Sequence, residues 1–189
     1  GSASLMRQAL VQALHHARHR RAFGKTLASQ PLMRNVLADL ALESEAATAL
    51  AFRVARAVDA GPRDAAEAAL ARLVTALGKY WVCKRAPAFV NEAQECLGGA
   101  RYVEEPGLPR LYRQAPLNSI WEGSGNIQCL DVLRVLTREP ASREAYFAEL
   151  ERARGGHALL DAEIARLRMM TDGEPAAMEG QARVLAERM

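Results

Sequence analysis

At 189 residues, half of them apolar and 5% aromatic, the chain suits one domain with an appendage and can bury roughly 70% of its unfolded surface. It contains no run of 18 apolar residues, which argues against a membrane-spanning helix, and Cys83, Cys96 and Cys129 lack the spacing of a zinc site or disulfide framework. The net charge of +3 is uneven: residues 1–30 hold five Lys/Arg, three of the four His and no acid, leaving 20 basic against 22 acidic side chains in 31–189.

One local basic patch therefore describes the chain better than a basic protein, and such a patch suits an anion such as phosphate. The cysteines read as reduced, buried thiols of a cytoplasmic protein. Gly1-Ser2 in place of an initiating Met reads as a cloning scar or an excision from a longer protein, and no signal-peptide pattern follows. Abundant alanine and long stretches without Pro or Gly favour helices over sheets.

Residues 4–21 form the first expected helix, with Leu5, Ala9, Leu10, Ala13, Leu14 and Ala17 on its apolar face. His15, His16, Arg18, His19, Arg20 and Arg21 crowd its end. Cations there either complete a favourable helix end or form the anion site that the charge distribution suggests. Gly24 is expected to stop this helix in the left-handed conformation. Ser29-Gln30-Pro31 starts a second helix running to Ala60, with Leu32, Val36, Leu40, Ala47, Leu50 and Val54 as its buried stripe.

After a turn at Ala60-Gly61-Pro62-Arg63, Asp64-x-x-Glu67 predicts a capping box. The third helix spans 65–97, kinked or divided at Pro87 and ended by Gly98-Gly99. Residues 100–116, with Pro106, Pro109 and Pro116, read as an ordered loop with one helical turn. A fourth helix ends near Thr137. Beyond the Glu139-Pro140-Ala141-Ser142 break, two or three shorter helices are expected at 142–153, 157–170 and 174–187, with turns at Gly155-Gly156 and Asp172-Gly173. No strand is predicted. The fold class is thus all-α: an up-down four-helix bundle over 1–137 with a short helical C-terminal extension over 138–189.

The stretch Leu117–Leu136 carries the chemistry. Glu122 lies between bulky Trp121 and the flexible Gly123-Ser124-Gly125 turn. An amphipathic helix follows, with Ile127, Leu130, Leu133, Val135 and Leu136 at helical spacing. Glycine allows a sharp turn and a close approach, Ser124 or Asn126 can cap the helix, and a helix N-terminus offers N–H groups to an anion. On the residues alone two readings stand: a capped turn with a solvated Glu, or a catalytic carboxylate beside a phosphate-bearing cofactor.

Three motifs occur in order: Arg20-Arg-Ala-Phe23-Gly24-Lys25, Glu95-Cys-Leu97-Gly98-Gly99 and Trp121-Glu122-Gly123-Ser124-Gly-Asn126-Ile-Gln128. Over residues 3–137 the chain resembles the C-terminal helical domain of the acyl-CoA dehydrogenase superfamily. Ser119–Ile127, Leu130–Leu136, Lys79–Lys84 and Pro109–Asn118 are most similar to the bacterial alkylation-damage-response flavoproteins. Those keep the dehydrogenase fold and FAD and add a C-terminal region implicated in double-stranded DNA binding, where residues 140–189 lie here.

The resemblance implies an FAD-dependent acyl-CoA dehydrogenase-like oxidoreductase, a homotetramer, with Glu122 as the base that removes the α-proton of an acyl-CoA. It implies FAD contacts from Trp121, Ser124, Asn126 and Gln30, the last standing one residue closer to Phe23 than is typical. It also implies contacts to a neighbouring subunit's FAD from Arg20, Phe23 and the backbone of Leu97, Gly98 and Gly99, though a helix C-cap would equally need one of these glycines. Where the family commonly has a further glycine stands Arg101, which either bends the loop differently or offers another phosphate cation. Arg113 reads as structural, and Arg134 as lining the pocket or facing DNA phosphates. A full family member has two further domains upstream, so this chain alone is expected to hold no FAD. No metal site is expected.

The alternative function is a DNA-associated flavoprotein with weak or no physiological dehydrogenase activity. Against it, residues 138–189 carry eight Arg and ten Asp/Glu, little excess cation for phosphates. A helical interaction domain without chemistry would explain the helices but not the three ordered motifs.

Overall fold

The periodic alanine and leucine stripes produce helices nearly wherever they occur. The computed structural model describes residues 1–99, 102–105, 107–173 and 178–189. Its helices are α1 (Ser2–His19), α2 (Pro31–Ala60), α3 (Ala65–Glu95), α4 (Leu108–Gln114), α5 (Gly125–Arg138), α6 (Pro140–Glu151), α7 (Ala158–Thr171) and α8 (Ala182–Arg188). They belong to two compact units, residues 1–51 with 82–121 and residues 52–81 with 122–189. None of these helices is long and apolar enough to cross a membrane.

In the first unit α1 buries Met6, Ala9, Leu10, Ala13 and Ala17. Its N-terminus is tied down by Asn118 Nδ2 donating to Ser2 Oγ at 2.9 Å and by Ser2 Oγ donating to Cys83 Sγ at 3.4 Å. The helix stops at His19, two residues before the expected end, and Arg20 is already extended. Strands β1 (Arg21–Ala22) and β2 (Lys25–Thr26) then pair antiparallel, Arg21 opposite Thr26 and Ala22 opposite Lys25. Phe23 and Gly24, with φ of 52° and 83°, form the link between them. Two consecutive left-handed residues make the turn whose twist matches paired strands, so Gly24 closes a hairpin instead of capping a helix. Two-residue arms are too short to show alternation, which is why no strand was predicted.

One further expectation changes, and one of two alternatives is removed. The buried stripe of α2 in this unit runs through Leu37, Leu40, Ser44 and Ala47 and leaves Leu32 exposed. α3 continues through Pro87 without division. A proline inside a helix costs on the order of 3 kcal/mol, and here Val82, Cys83, Ala86, Phe89, Val90 and Ala93 are buried on either side of it. Their burial offsets one missing hydrogen bond.

The second unit is built on Leu73, Leu77 and Tyr80 of α3, Val132 and Val135 of α5, Tyr146 and Phe147 of α6, Leu167 of α7 and Leu185 of α8. Ile127 and Leu130, expected on the apolar face of α5, stay outside, while Cys129 and Val132 go in. Pro140 opens α6 one residue after the α5 C-cap, Glu139. The last helix starts at Ala182, later than expected; residues 174–177, where it was predicted to begin, lie outside the described residues, as do Arg101 and Pro106.

Half of the predicted capping box is present. Asp64 Oδ1 accepts from the N–H groups of Ala66 (2.9 Å) and Glu67 (3.3 Å), whereas the Glu67 carboxylate accepts from Arg53. Asp64→Ala should therefore cost about 1 kcal/mol, read as a lower urea midpoint with unchanged slope.

Carboxylates of this unit are held below their ordinary pKa by arginine hydrogen bonds. Arg72 does so for Asp131, Arg53 for Glu149, and Arg154 with Arg168 takes Glu151 from 4.5 to about 2. A depressed folded-state pKa adds stability above the unfolded pKa and loses it as pH falls through the folded value. Thermal unfolding scans should thus show a melting temperature independent of these groups above pH 5. It should decline progressively below about 4.5, the ordinary glutamate value, towards 2.

Candidate functional site

The basic end of α1 and the hairpin place the first group of predicted residues, all in the first unit. Arg20 is exposed at the C-cap of α1, its N–H donating to His16 O at 2.8 Å and its carbonyl accepting from Leu27 N at 2.9 Å. Arg21 Nη2 donates to Gly24 O at 2.9 Å and closes the turn. At its tip Phe23 is 95% exposed in a left-handed conformation. A non-glycine residue pays backbone strain there, and the turn spends it on holding an apolar ring in solvent. Gln30 Nε2 donates to Ala22 O at 3.2 Å, so Gln30 braces the hairpin.

At the end of α3, Leu97 is buried while Gly98 and Gly99 are exposed. Gly98 has φ of 71°, and a Cβ added there would meet nothing within 4 Å. This backbone is open to a close approach. It also satisfies the C-cap reading, with Gly98 N donating to Glu95 O at 3.1 Å. Trp121, the last residue of this unit, is 54% exposed.

In the second unit Glu122 is exposed and itself left-handed at φ 53°, followed by Gly123 at φ 100°. Gly123 is required for its φ, and a Cβ there would lie 2.5 Å from Gln128 Nε2, displacing that side chain from the turn. Lys79 Nζ, from α3, donates to Gly123 O at 2.6 Å. Gln128 Nε2 donates to Glu122 O at 3.2 Å and Gly123 O at 3.3 Å. The turn is thus fixed through its carbonyls while the Glu122 carboxylate is left at the surface.

Ser124 takes the N-cap position of α5, but its hydroxyl makes no capping hydrogen bond. The first N–H groups of α5 therefore lack the side-chain acceptor that Ser usually supplies. Asn126 Oδ1 accepts from Arg183 Nε of α8 at 2.7 Å. A guanidinium can only donate, so this bond sets the amide orientation and leaves Nδ2 as a donor. Arg134, the candidate DNA contact, bonds Asp131 at 2.6 Å, and Arg72 holds the same carboxylate at 2.8 and 3.0 Å.

Lys79, Gln128 and Arg183 are supporting residues that sequence reasoning had not assigned to the site. Lys79 had one local signal, a lysine amid buried Leu73, Val74, Leu77 and Tyr80. Arg183 had none. Among the described residues no group of His, Cys, Asp and Glu could hold a metal ion.

Residues 1–137 match the family model described as the acyl-CoA dehydrogenase C-terminal domain. AidB of Escherichia coli, named as a candidate acyl-CoA dehydrogenase, is 50% identical over 88% of this chain and 31% of its own length. The apo form of a protein designated Bd2924 superposes with a TM-score of 0.89 at 32% identity, covering 99% of this chain and 37% of that one. ACDH-11 of Caenorhabditis elegans, solved in complex with C11-CoA, gives a TM-score of 0.87 at 29% identity, covering 98% and 35%. The chain spans about a third of the length of these relatives.

Proposed function

Because the chain belongs to the acyl-CoA dehydrogenase family and matches its C-terminal helical domain, we propose that it supplies the base and part of the FAD site of an acyl-CoA dehydrogenase-like oxidoreductase. The observation that carries this reading is the Glu122 turn: a strained backbone fixed through its carbonyls, with the carboxylate left free at the surface. A surface glutamate without a task would need neither the left-handed backbone nor the two side chains holding it.

The residues present fit a dinucleotide-like cofactor. α5 offers its N-terminal N–H groups without competition from Ser124, and Asn126 offers a donor amide. Arg20 would serve a phosphate, Phe23 an adenosine face and the open Gly98 backbone a close contact on a neighbouring subunit's FAD in a homotetramer. Gln30, Leu97, Gly99 and Trp121 complete the proposed cofactor contacts. Bound FAD would supply a hydride acceptor for the β-hydrogen of the acyl chain. Glu122 takes the α-proton, and a donor to the thioester oxygen stabilises the negative charge that develops there. The test is anaerobic addition of acyl-CoA thioesters of several chain lengths to the full-length, FAD-loaded protein. The oxidised-flavin absorbance should be lost with at least one thioester, and persistence with every one of them contradicts the reading. The 189 residues alone should purify colourless.

For the DNA-associated alternative, the tail arginines matter most. Arg143, Arg152, Arg154, Arg168 and Arg188 each pair with a carboxylate of the same unit, which weighs against a phosphate-binding face. A salt-dependent shift of duplex DNA by the full-length protein would restore that alternative.

A further inference from the structure

We infer that Lys79 is the positioning residue of the Glu122 turn: its ammonium, bonded to the Gly123 carbonyl, holds Glu122 in the left-handed conformation that presents its carboxylate. This rests on the reading of Glu122 as the base.

Lys79 is half-buried on α3, directly before the buried Tyr80. A lysine stem can lie along apolar surface with its ammonium in water, yet here the ammonium turns to a carbonyl 44 residues away at 2.6 Å. Charge-assisted bonds of this length are about twice as strong as neutral ones. Gln128 also reaches the turn, but its bonds of 3.2 and 3.3 Å are long and come from α5, the helix that the turn itself begins. Gln128 therefore moves with the turn. Lys79 is the tie to a different helix. Without it, Glu122 could relax towards right-handed φ, which an L-residue prefers, and the carboxylate would swing away with its Cα. A Cα displaced by an ångström at a catalytic base is expensive in rate.

The test uses the full-length protein as wild type, Lys79→Met and Lys79→Arg. Hydrogen exchange followed by mass spectrometry on peptides covering residues 118–128 should be about tenfold faster in Lys79→Met, unchanged in α1, and largely restored in Lys79→Arg. The rate of acyl-CoA-driven flavin bleaching at saturation should fall about a hundredfold in Lys79→Met, with unchanged FAD content and half-saturating concentration. Unchanged exchange in the turn overturns the proposal, and so does faster exchange spread through α1, the mark of general destabilisation. Faster local exchange with undiminished bleaching overturns it as well. A wild-type protein that no acyl-CoA reduces removes Glu122 as the base, and the positioning role with it. The exchange arm still reports separately whether the clamp exists.

Discussion

Glu122→Gln in the full-length, FAD-loaded protein should slow acyl-CoA-driven flavin bleaching by roughly a thousandfold. The amide has nearly the volume of the carboxylate but cannot accept the α-proton. The turn is held through the carbonyls of Glu122 and Gly123, by Gln128 and Lys79, so the substitution leaves the backbone geometry in place. FAD content and thermal stability should match the wild type. Stopped-flow recording of the oxidised-flavin band separates these effects. Bleaching that survives at the wild-type rate would mean a base elsewhere.

The second large effect concerns stability. Arg53→Ala should cost the chain about 2 kcal/mol, because its guanidinium joins three helices of the second unit. It donates to Glu67 of α3 at 2.8 and 3.0 Å and to Glu149 of α6 at 2.5 and 3.1 Å. The side chains are only 21%, 12% and 28% exposed, so removing the cation strands the Glu67 carboxylate, which water cannot fully resolvate, and leaves Glu149 held by Arg152 at 2.8 Å. The residual exposure is why the cost falls below that of a fully buried pair. Replacing both acids as well, with Glu67→Gln and Glu149→Gln, should recover part of the loss. Urea denaturation of the three proteins tests this: equal midpoints for wild type and Arg53→Ala would show the network to be energetically idle.

Local signals were legible in the sequence and distant partners were not. Pro31 as the first residue of α2 and Asp64 at the N-cap of α3 depend on neighbours within a few residues, and both stand; the break expected over residues 139–142 narrows to Glu139, and the turn expected at Gly123-Ser124-Gly125 lies at Glu122 and Gly123, with Gly125 already in α5. Glu67 was expected to reach back to the start of its own helix, and Arg53 claimed it from α2 instead. Phe23-Gly24 was read as the end of a helix because a glycine after a helical stripe serves a C-cap and a hairpin turn equally well; strand pairing across the turn decided between them. The sequence around Pro87 shows only the lost hydrogen bond, while burial on both sides keeps α3 whole. For the proposed site, Trp121 and the two glycines mark the Glu122 turn. Lys79 left one local signal and Arg183 none, since each meets the site across 44 or 57 residues of chain.

The central claim is that the Glu122 carboxylate faces both the flavin and the reacting carbons of an acyl thioester. A crystal structure of the full-length protein with FAD and a non-reactive acyl-CoA analogue measures it directly. The account predicts a Glu122 carboxylate oxygen about 3–3.5 Å from the substrate α-carbon, with Glu122 still left-handed and Lys79 on the Gly123 carbonyl. A Glu122 side chain turned to bulk water, with another carboxylate beside that carbon, would contradict it.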